Sequence, residues 1–232
     1  MKAAYYTEYG AAREVLKLGE LPDPEPGQGE VRVRVRFSGI NPSDCNRRAG
    51  IRDRPGYPVI VPHSDGSGEI DTVGEGVSRD RIGEKVWIWN AQRGRPFGTA
   101  AEYVALPSQQ AVKLPHGASL EHGACFGVPA MTAYYSLFDD GPLEGRDVLV
   151  TGDAGAVGFY AVQFARLAGA RTLVATVSGD EKARMAAQAG ASAVVNYRTE
   201  DVARCILEAT VAASTTSRRS ISAATLRPRS PS

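Results

Sequence analysis

The hydrophobic and polar positions follow two different periods, and the change falls near residue 145. Before it, apolar and polar residues alternate, as in "EVRVRVRFSGI" (residues 30–40), which predicts a strand with one buried face. "SGEIDTVGEGV" and "GEKVWIWN" predict two more short strands, and "AAEYVALPSQQAVKLP" predicts a hairpin. Short strands separated by glycine turns predict a barrel-like β domain in this first part of the chain.

After residue 145, strands alternate with helices. "DVLVTG" (147–152), "RTLVATV" and "SAVVNY" predict strands, while "DEKARMAAQAG" predicts a helix ending at Gly190. "TEDVARCILEA" predicts a further helix that Thr199 caps. The helix after residue 152 carries an apolar stripe of Val157, Ala161, Phe164, Ala165 and Ala168. This alternation predicts parallel βαβ units in a doubly wound sheet, so the fold class is α/β with a β-rich domain first.

The last segment is different again. From residue 211 to 232, Val211, Ile221 and Leu226 are the residues other than Ser, Thr, Arg, Ala and Pro. Such a composition buries too little apolar surface to offset the entropy of ordering the chain. We therefore expect residues 211–232 to be disordered.

Composition narrows the class of partner. The 232 residues carry a formal charge of +1, too small to indicate a nucleic-acid or anionic-membrane partner. We expect no membrane span, since no apolar run reaches about 18 residues, and no signal peptide at "MKAAYYTEYG". Cys45, Cys125 and Cys205 are widely separated, which favours reduced thiols in a cytoplasmic protein.

A glycine loop lies between the strand at 147–152 and the helix that follows it. In "TGDAGAVGFYAV", Gly155 and Gly158 match the second and third glycines of a dinucleotide-binding fingerprint, and Asp153 stands at the first. Such a loop lets the backbone approach a pyrophosphate, which the helix N-terminus then binds. Asp153 either caps the helix or faces the pyrophosphate and weakens its binding.

The end of the second parallel strand discriminates between cofactors. An NAD site usually has an acidic residue there, which accepts the ribose hydroxyls. "ATVSGDEKAR" is uncharged from Ala175 to Ser178, and Lys182 follows one helical turn later. A cation without the acid suits the 2′-phosphate of NADPH, although Lys182 could equally be a solvated surface lysine.

Six stretches, in their order along the chain, are "SGINPSD", "VPHSDGSGEIDTVGEGV", "GTAAEYVALP", "PAMTAYYSL", the glycine loop and "GASAVVNYRTEDV". Together they make the chain resemble the zinc-free quinone oxidoreductase (zeta-crystallin-like) branch of the medium-chain dehydrogenase/reductase family. The resemblance implies a GroES-like catalytic domain over 1–122 and a partial Rossmann NADPH-binding domain over 123–210. It also implies hydride transfer from NADPH to a quinone or other α,β-unsaturated carbonyl. Relatives form homo-oligomers, and the state of this chain is left open.

The resemblance also assigns residues. Asn41 of the "NP" motif lies beside the nicotinamide and is the catalytic candidate. The expected cofactor-binding residues are Asn41, Thr132, Gly155, Ala156, Val157, Gly158, Ser178, Lys182 and Tyr197. Asn46 stands where the family often has Tyr, which affects acceptor binding. "WIWNAQRGRPFG" (87–98) either lines the acceptor cleft or belongs to the core.

Zinc-dependent members bind the metal through Cys and His at three positions. These positions correspond here to Asn41, Ser64 and Val128, none of which is a usual zinc ligand. His63, one residue from the second position, aligns with a family glycine and is expected to be structural. We therefore expect no metal, and a zinc alcohol dehydrogenase is the remote alternative.

The resemblance ends at Thr210, so the chain looks C-terminally truncated. If the coding sequence is read one base out of frame from the Thr210 codon, the tail can encode a helix stop followed by an apolar strand. We therefore hypothesise that residues 211–232 result from a frameshift. The alternative to an active reductase is therefore a truncated, non-catalytic NADPH-binding protein of the same family.

Overall fold

The computed structural model describes residues 1–51, 54, 56–152, 155–214 and 221–224. The chain folds as two units, Met1–Val128 and Pro129–Ser232. The order predicted from the sequence, a β-rich part followed by a parallel α/β sheet, is confirmed. The division lies a few residues beyond the expected boundary at 122, because the segment up to Val128 is bonded to the first unit: the Val128 N–H donates to Asp65.

The first unit is built on a five-stranded antiparallel sheet with the order β6-β3-β4-β5-β7, beside a two-stranded sheet of β1 and β2. Its strands are β1 Lys2–Tyr5, β2 Lys17–Glu20, β3 Glu30–Gly39, β4 Asp65–Val73, β5 Lys85–Ile88, β6 Tyr103–Pro107 and β7 Ala111–Lys113. Its helices are α1 Ala12–Val15, α2 Pro42–Arg48 and α3 Leu120–Gly123, and α4 Gly127–Phe138 begins in this unit and continues into the second.

The alternating pattern of β3 forms the core as expected in its first half. Val31 and Val33 are fully buried, and burying a valine side chain contributes about 1.5–3 kcal/mol. Register shifts against β4 occur between Arg32 and Val33 and again between Val35 and Phe37. These irregularities interrupt the period-two alternation, so Phe37 at the far end of the strand is 40% exposed.

The hairpin predicted for residues 100–115 is wrong. β6 pairs with β3 and β7 pairs with β5, so the two strands lie at opposite edges of the five-stranded sheet. The sequence between them forms a short 3-10 turn, Ser108–Gln110, in place of a two-residue hairpin turn. Both segments alternate as strands should, but alternation does not identify the partner strand.

The second unit contains a parallel sheet with the order β10-β9-β8-β11. Its further elements are β8 Asp147–Thr151, α5 Ala156–Leu167, β9 Thr172–Val177, α6 Asp180–Ala189, β10 Ala193–Asn196, α7 Val202–Ser214 and β11 Ile221–Ala224. All six residues of β9 are buried, as expected for a parallel strand with neighbours on both sides. Gly190 ends α6 in the left-handed conformation, with φ 111°, where glycine has no steric cost.

The last helix and the tail differ from expectation. Asp201, one residue before α7, caps it, because its Oδ1 accepts from the Arg204 N–H at 3.1 Å; the predicted cap Thr199 lies in the preceding turn. The helix continues through the alanine-rich stretch to Ser214. Residues 211–214 continue α7 and residues 221–224 pair in parallel with β8, whereas the sequence predicts disorder over 211–232. Residues 215–220 and 225–232 lie outside the described part.

Candidate functional site

In the first unit, a buried group of polar side chains surrounds the start of α2. Asn41, 6% exposed, precedes the helix, and its backbone N–H donates to Oδ2 of Asp44 at 2.8 Å. This contact satisfies an N–H that the helix itself leaves unpaired. The Asn41 carboxamide in turn donates through Nδ2 to Oδ2 of Asp65 at 2.8 Å. Both backbone and side chain of Asn41 are therefore held by carboxylates.

The three positions expected from zinc-dependent relatives converge on these two carboxylates. Asn41 Nδ2 and the Val128 backbone N–H both donate to Asp65 Oδ2, at 2.8 and 2.7 Å. Ser64 Oγ donates to Asp44 Oδ1 at 3.2 Å. In this chain the three positions are therefore joined by hydrogen bonds to Asp44 and Asp65. Within the described residues, no group of three or more His, Cys, Asp or Glu side chains could hold a metal ion.

Asp65 is the most strongly perturbed group of this network. It is 1% exposed, and burial raises its pKa to about 6, although the bonds from Asn41 and Val128 favour the charged form. Its second oxygen, Oδ1, is buried without a hydrogen-bond partner. A Cβ at Gly127 would stand 2.1 Å from this oxygen, so only glycine fits there. Sequence reasoning missed Asp65; its one signal was a carboxylate opening a buried strand.

His63 lies next to this group and is held by hydroxyls. Its Nδ1 lies 2.8 Å from Ser38 Oγ, which lies 2.8 Å from Thr99 Oγ1. Thr99 Oγ1 donates to the backbone carbonyl of Asp65. The His63 backbone has φ 79°, the left-handed region that glycine occupies without strain. Burial lowers the pKa of His63. These contacts support the structural role expected for it.

In the second unit, a small pocket opens at the glycine loop. Its volume is about 40 Å³, and it is lined by Gly152, Gly155, Thr176, Val177, Ser178, Lys182 and Tyr197. Four of the expected cofactor-binding residues, Gly155, Ser178, Lys182 and Tyr197, are therefore brought together. Gly152, Thr176 and Val177 were not anticipated; they follow from strand ends of a parallel sheet meeting at one edge.

The helix after the loop presents its first turn to this edge of the sheet. Gly155 is the N-cap of α5, and Ala156, Val157 and Gly158 form its first turn. The first N–H groups of a helix have no acceptor within it, so they are available to an anion. Gly152 has φ 72°, in the left-handed region that glycine adopts without strain, and this lets the chain turn between β8 and α5. Asp153, and with it the question of its role, lies outside the described residues.

The remaining expected residues are placed separately. Thr132 is exposed on α4, within the second unit, and Asn41 belongs to the first. Asn46 is half-buried on α2. Trp87 packs edge-on against Phe126 with ring centroids 6.0 Å apart, which places it in the packing of the first unit. No helix among the described residues is both long and apolar enough to cross a membrane.

Two family profiles match the chain: "Alcohol dehydrogenase GroES-like domain" over residues 27–116 and "Zinc-binding dehydrogenase" over 156–222. The second match extends past Thr210, where the resemblance was expected to end. A quinone oxidoreductase of Pseudomonas aeruginosa is 37% identical over 210 residues, covering 90% of this chain and 62% of that protein. The chain thus spans about three-fifths of the length of this relative, and only 40% of the synaptic vesicle membrane protein VAT-1 homolog of Danio rerio, to which it is 34% identical.

Solved structures agree. The quinone oxidoreductase of Pseudomonas syringae pv. Tomato DC3000 superposes with a TM-score of 0.79 at 32% identity, covering 90% of this chain and 63% of that one. The Escherichia coli quinone oxidoreductase complexed with NADPH gives 0.78 at 29% identity, with 91% and 63% covered. Together with the two profiles, these similarities show that the chain belongs to the medium-chain dehydrogenase/reductase family, in its quinone oxidoreductase-like branch.

Proposed function

We propose that the protein is a cytoplasmic, NADPH-dependent and zinc-independent reductase of a quinone or another α,β-unsaturated carbonyl. The observation that carries the proposal is the pocket at the glycine loop, where a lysine, a serine and a tyrosine meet and no acidic residue stands among the described lining residues. NADPH supplies the hydride for such a reduction. The protein supplies binding, orientation and exclusion of water.

The choice of NADPH over NADH rests on charge. Lys182 is exposed in the first turn of α6 and lines the pocket beside Ser178 and Tyr197. An ammonium group and two hydroxyls suit a 2′-phosphate, which a carboxylate at the strand end would repel. Asp180 and Glu181 lie in the same helical turn but do not line the pocket. The relative from Escherichia coli was solved with NADPH, which supports the same choice.

The other residues expected to bind the cofactor would contact its remaining parts. The N–H groups of Ala156, Val157 and Gly158 would hold the pyrophosphate, whose negative charge the helix N-terminus favours. Thr132 would contribute its hydroxyl to the cofactor. Asn41 would lie against the nicotinamide and orient it, since its carboxamide is fixed by Asp65 and its backbone by Asp44. A positioned group of this kind lowers the entropic cost of reaching the transition state.

Zinc independence rests on the donor set. Zinc requires Cys, His or carboxylate ligands in a tetrahedral arrangement. At the three ligand positions, Val128 has no donor side chain, Asn41 donates an N–H to Asp65, and Ser64 donates its O–H to Asp44. These residues do not fit a catalytic zinc, and the reaction proposed here uses no metal.

The test is NADPH oxidation with a panel of small quinones and enones, measured with and without a chelator. Turnover unaffected by the chelator supports the proposal, and turnover that the chelator abolishes contradicts zinc independence. NADPH binding without turnover of any acceptor supports the alternative, a non-catalytic NADPH-binding protein.

Cofactor choice has its own matched variants. Lys182→Gln should weaken NADPH binding roughly tenfold, the value of a lost charge-assisted hydrogen bond, and leave NADH binding unchanged. Arg184→Gln removes the same charge from the same helix at an exposed position that does not line the pocket. An equal loss in both variants, measured by fluorescence titration, would contradict the assignment of Lys182.

A further inference from the structure

One cavity of the first unit opens where three strands meet two loop segments. It has a volume of about 650 Å³ and is lined by residues 2–4, 18–20, 35, 36, 38, 63 and 99–102. These residues belong to β1, β2 and β3, to the segment just before β4 and to the segment that leads into β6. We name it the His63 cavity. Its volume falls in the range of roughly 300–1,000 Å³ that is typical of sites for small organic molecules.

Most of the wall of the His63 cavity is apolar. Ala4 and Leu18 contribute to it from the two-stranded sheet, and Val35 and Ala101 contribute from the other side. Leu18 is 88% exposed, so its side chain faces water in the free protein. Covering such a surface removes it from water, which is the main driving force for the binding of an apolar molecule.

The polar part of the wall is formed by His63 together with the hydroxyls of Ser38 and Thr99. Nδ1 of the half-buried His63 ring lies 2.8 Å from Ser38 Oγ. Within the described part of the chain, no group hydrogen-bonds the other ring nitrogen, Nε2. Nε2 is not buried either, since the buried side-chain nitrogen and oxygen atoms that lack a partner there are Asp65 Oδ1 and Thr172 Oγ1. The ring therefore has one nitrogen open to a further partner.

Backbone hydrogen bonds hold this wall in place. The N–H groups of Thr99 and Ala100 donate to the carbonyls of His63 and Pro62 at 3.0 and 3.1 Å. The Ala4 N–H donates to the Ala100 carbonyl at 2.9 Å, which joins β1 to the same segment. A wall that is fixed before a ligand arrives lowers the entropic cost of binding.

The backbone conformation of His63 indicates a use for its side chain. Its φ of 79° lies in the left-handed region, where glycine would fit without strain. Residues held in such conformations cluster at ligand sites, where the side chain has a function that offsets the strain. An imidazole here therefore suggests a role beyond packing.

The charges of the described lining balance. Lys2 and Arg36 are basic, and Glu20 and Glu102 are acidic. Burial lowers the pKa of His63, although Asp44 opposes this, so the imidazole is neutral at neutral pH. A neutral imidazole has one donor and one acceptor nitrogen, which suits an uncharged hydrogen-bonding group.

We propose that the His63 cavity binds an uncharged aromatic molecule that carries a hydroxyl, a phenol or a naphthol, through a hydrogen bond between this hydroxyl and His63 Nε2. A hydroxyl both donates and accepts, so it can pair with Nε2 whichever ring nitrogen carries the proton. The aromatic ring covers Leu18 and the neighbouring alanines. The site shares no residue with the described lining of the pocket at the glycine loop.

The phenol has two possible sources. One is the hydroquinone that the reduction of a quinone would form, and this source rests on the proposed function. The other is a phenol that takes no part in the reaction. Binding of a phenol to the His63 cavity does not itself depend on the proposed function.

The first experiment is equilibrium dialysis of the full chain against 2-naphthol and against 2-methylnaphthalene. The two probes have nearly the same shape, and only the first can form a hydrogen bond. Wild type should bind 2-naphthol more tightly, although the methyl compound is the more hydrophobic. In His63→Gly the ratio of the two dissociation constants should shift by roughly tenfold toward 2-methylnaphthalene, the value of one hydrogen bond.

The variants are chosen so that folding does not confuse the result. Glycine suits the left-handed backbone at residue 63, so His63→Gly should fold. His122→Gln is the matched control, because His122 is exposed and does not line the cavity, and it should keep the wild-type ratio. No binding of 2-naphthol by wild type, tighter binding of the hydrocarbon, or an equal shift of the ratio in both variants would overturn the proposal.

A second measurement needs no change at residue 63. Nitrogen-15 NMR follows the ring nitrogens of the three histidines of the chain, and His116→Gln and His122→Gln identify the signals of His63 by elimination. 2-Naphthol should move the His63 Nε2 resonance, and 2-methylnaphthalene should leave it in place. Equal shifts with both probes, or none with either, would contradict the hydrogen bond even if His63→Gly failed to fold.

Product inhibition distinguishes the two sources of the phenol. NADPH oxidation by 1,4-naphthoquinone is measured without oxygen and with added 1,4-dihydroxynaphthalene. Inhibition that is roughly tenfold weaker in His63→Gly than in wild type makes the reaction product the ligand. Equal inhibition of both proteins, together with the preference of wild type for 2-naphthol, makes the ligand a phenol outside the reaction. Absence of all quinone turnover would count against the proposed function alone, since the dialysis uses no NADPH.

Discussion

Replacing Asp65 with asparagine should make the stability of the protein less sensitive to pH. In the wild type, burial raises the pKa of this carboxyl from 3.8 to about 6. Between these values the folded state binds more protons than the unfolded state, so the free energy of unfolding falls as pH rises. A shift of this size corresponds to about 3 kcal/mol of the free energy of unfolding. This contribution is lost between about pH 4 and pH 6, and above pH 6 the loss does not increase further. Asparagine cannot titrate and escapes this loss.

The assay is urea unfolding followed by tryptophan fluorescence at a series of pH values. Trp87 and Trp89 are the two tryptophans of the chain, and both lie in the unit that contains Asp65. The quantity of interest is the free energy of unfolding of Asp65→Asn minus that of wild type. Any fixed cost of placing an amide beside Gly127 cancels when this difference is compared across pH.

The expected difference rises by about 3 kcal/mol from pH 4 to pH 7. Glu75→Gln is the control, since it removes a carboxylate at an exposed position of the same unit. Its profile should run parallel to that of wild type. A difference between Asp65→Asn and wild type that stays flat with pH would refute the reasoning that burial dominates at this carboxyl.

Three further outcomes follow from packing and pairing. Gly127→Ala should lower the free energy of unfolding by about 1–3 kcal/mol, because its Cβ would stand 2.1 Å from Asp65 Oδ1. Gly56→Ala should leave the free energy of unfolding unchanged, because no atom lies within 4 Å of the added Cβ, and urea unfolding compares the two variants. Asp201→Ala should cost about 1 kcal/mol by removing the cap of α7, measured by thermal unfolding under circular dichroism. Arg171 lowers the pKa of Asp147, so Arg171→Gln should be less stable than wild type by its full amount above pH 3.8, the pKa of an unfolded aspartate, and by less below it. The unfolding midpoints of the two proteins, measured at a series of acidic pH values, should therefore approach each other. Midpoints that stay equally far apart would contradict this.

The sequence predicted elements well where the hydrophobic period was sustained. The βα alternation after residue 145 located β8, α5, β9, α6 and β10, because buried parallel strands and amphipathic helices both leave strong local patterns. The pairing of β6 and β7 was missed because a strand's partner depends on contacts distant in the sequence. The cap of α7 was misplaced because Thr199 and Asp201 are both suitable capping residues, and only the backbone geometry chooses between them.

The candidate site divides in the same way. The glycine loop and Lys182 belong to a local motif, so sequence sufficed to name them. The network of Asn41, Asp44 and Asp65 depends on a bond from Asn41 to Asp65, 24 positions away, which no short pattern encodes.

The hydroxyl chain beside His63 has a direction. A hydroxyl owns a single proton, and that of Thr99 is committed to the Asp65 carbonyl. Ser38 must then give its proton to Thr99, which leaves its oxygen to accept one from Nδ1 of His63. The neutral imidazole is therefore locked as the tautomer with hydrogen on Nδ1, and Nε2 keeps its lone pair. Acid can therefore protonate Nε2 without reversing any hydrogen bond of the chain, so these hydrogen bonds persist when His63 is positively charged.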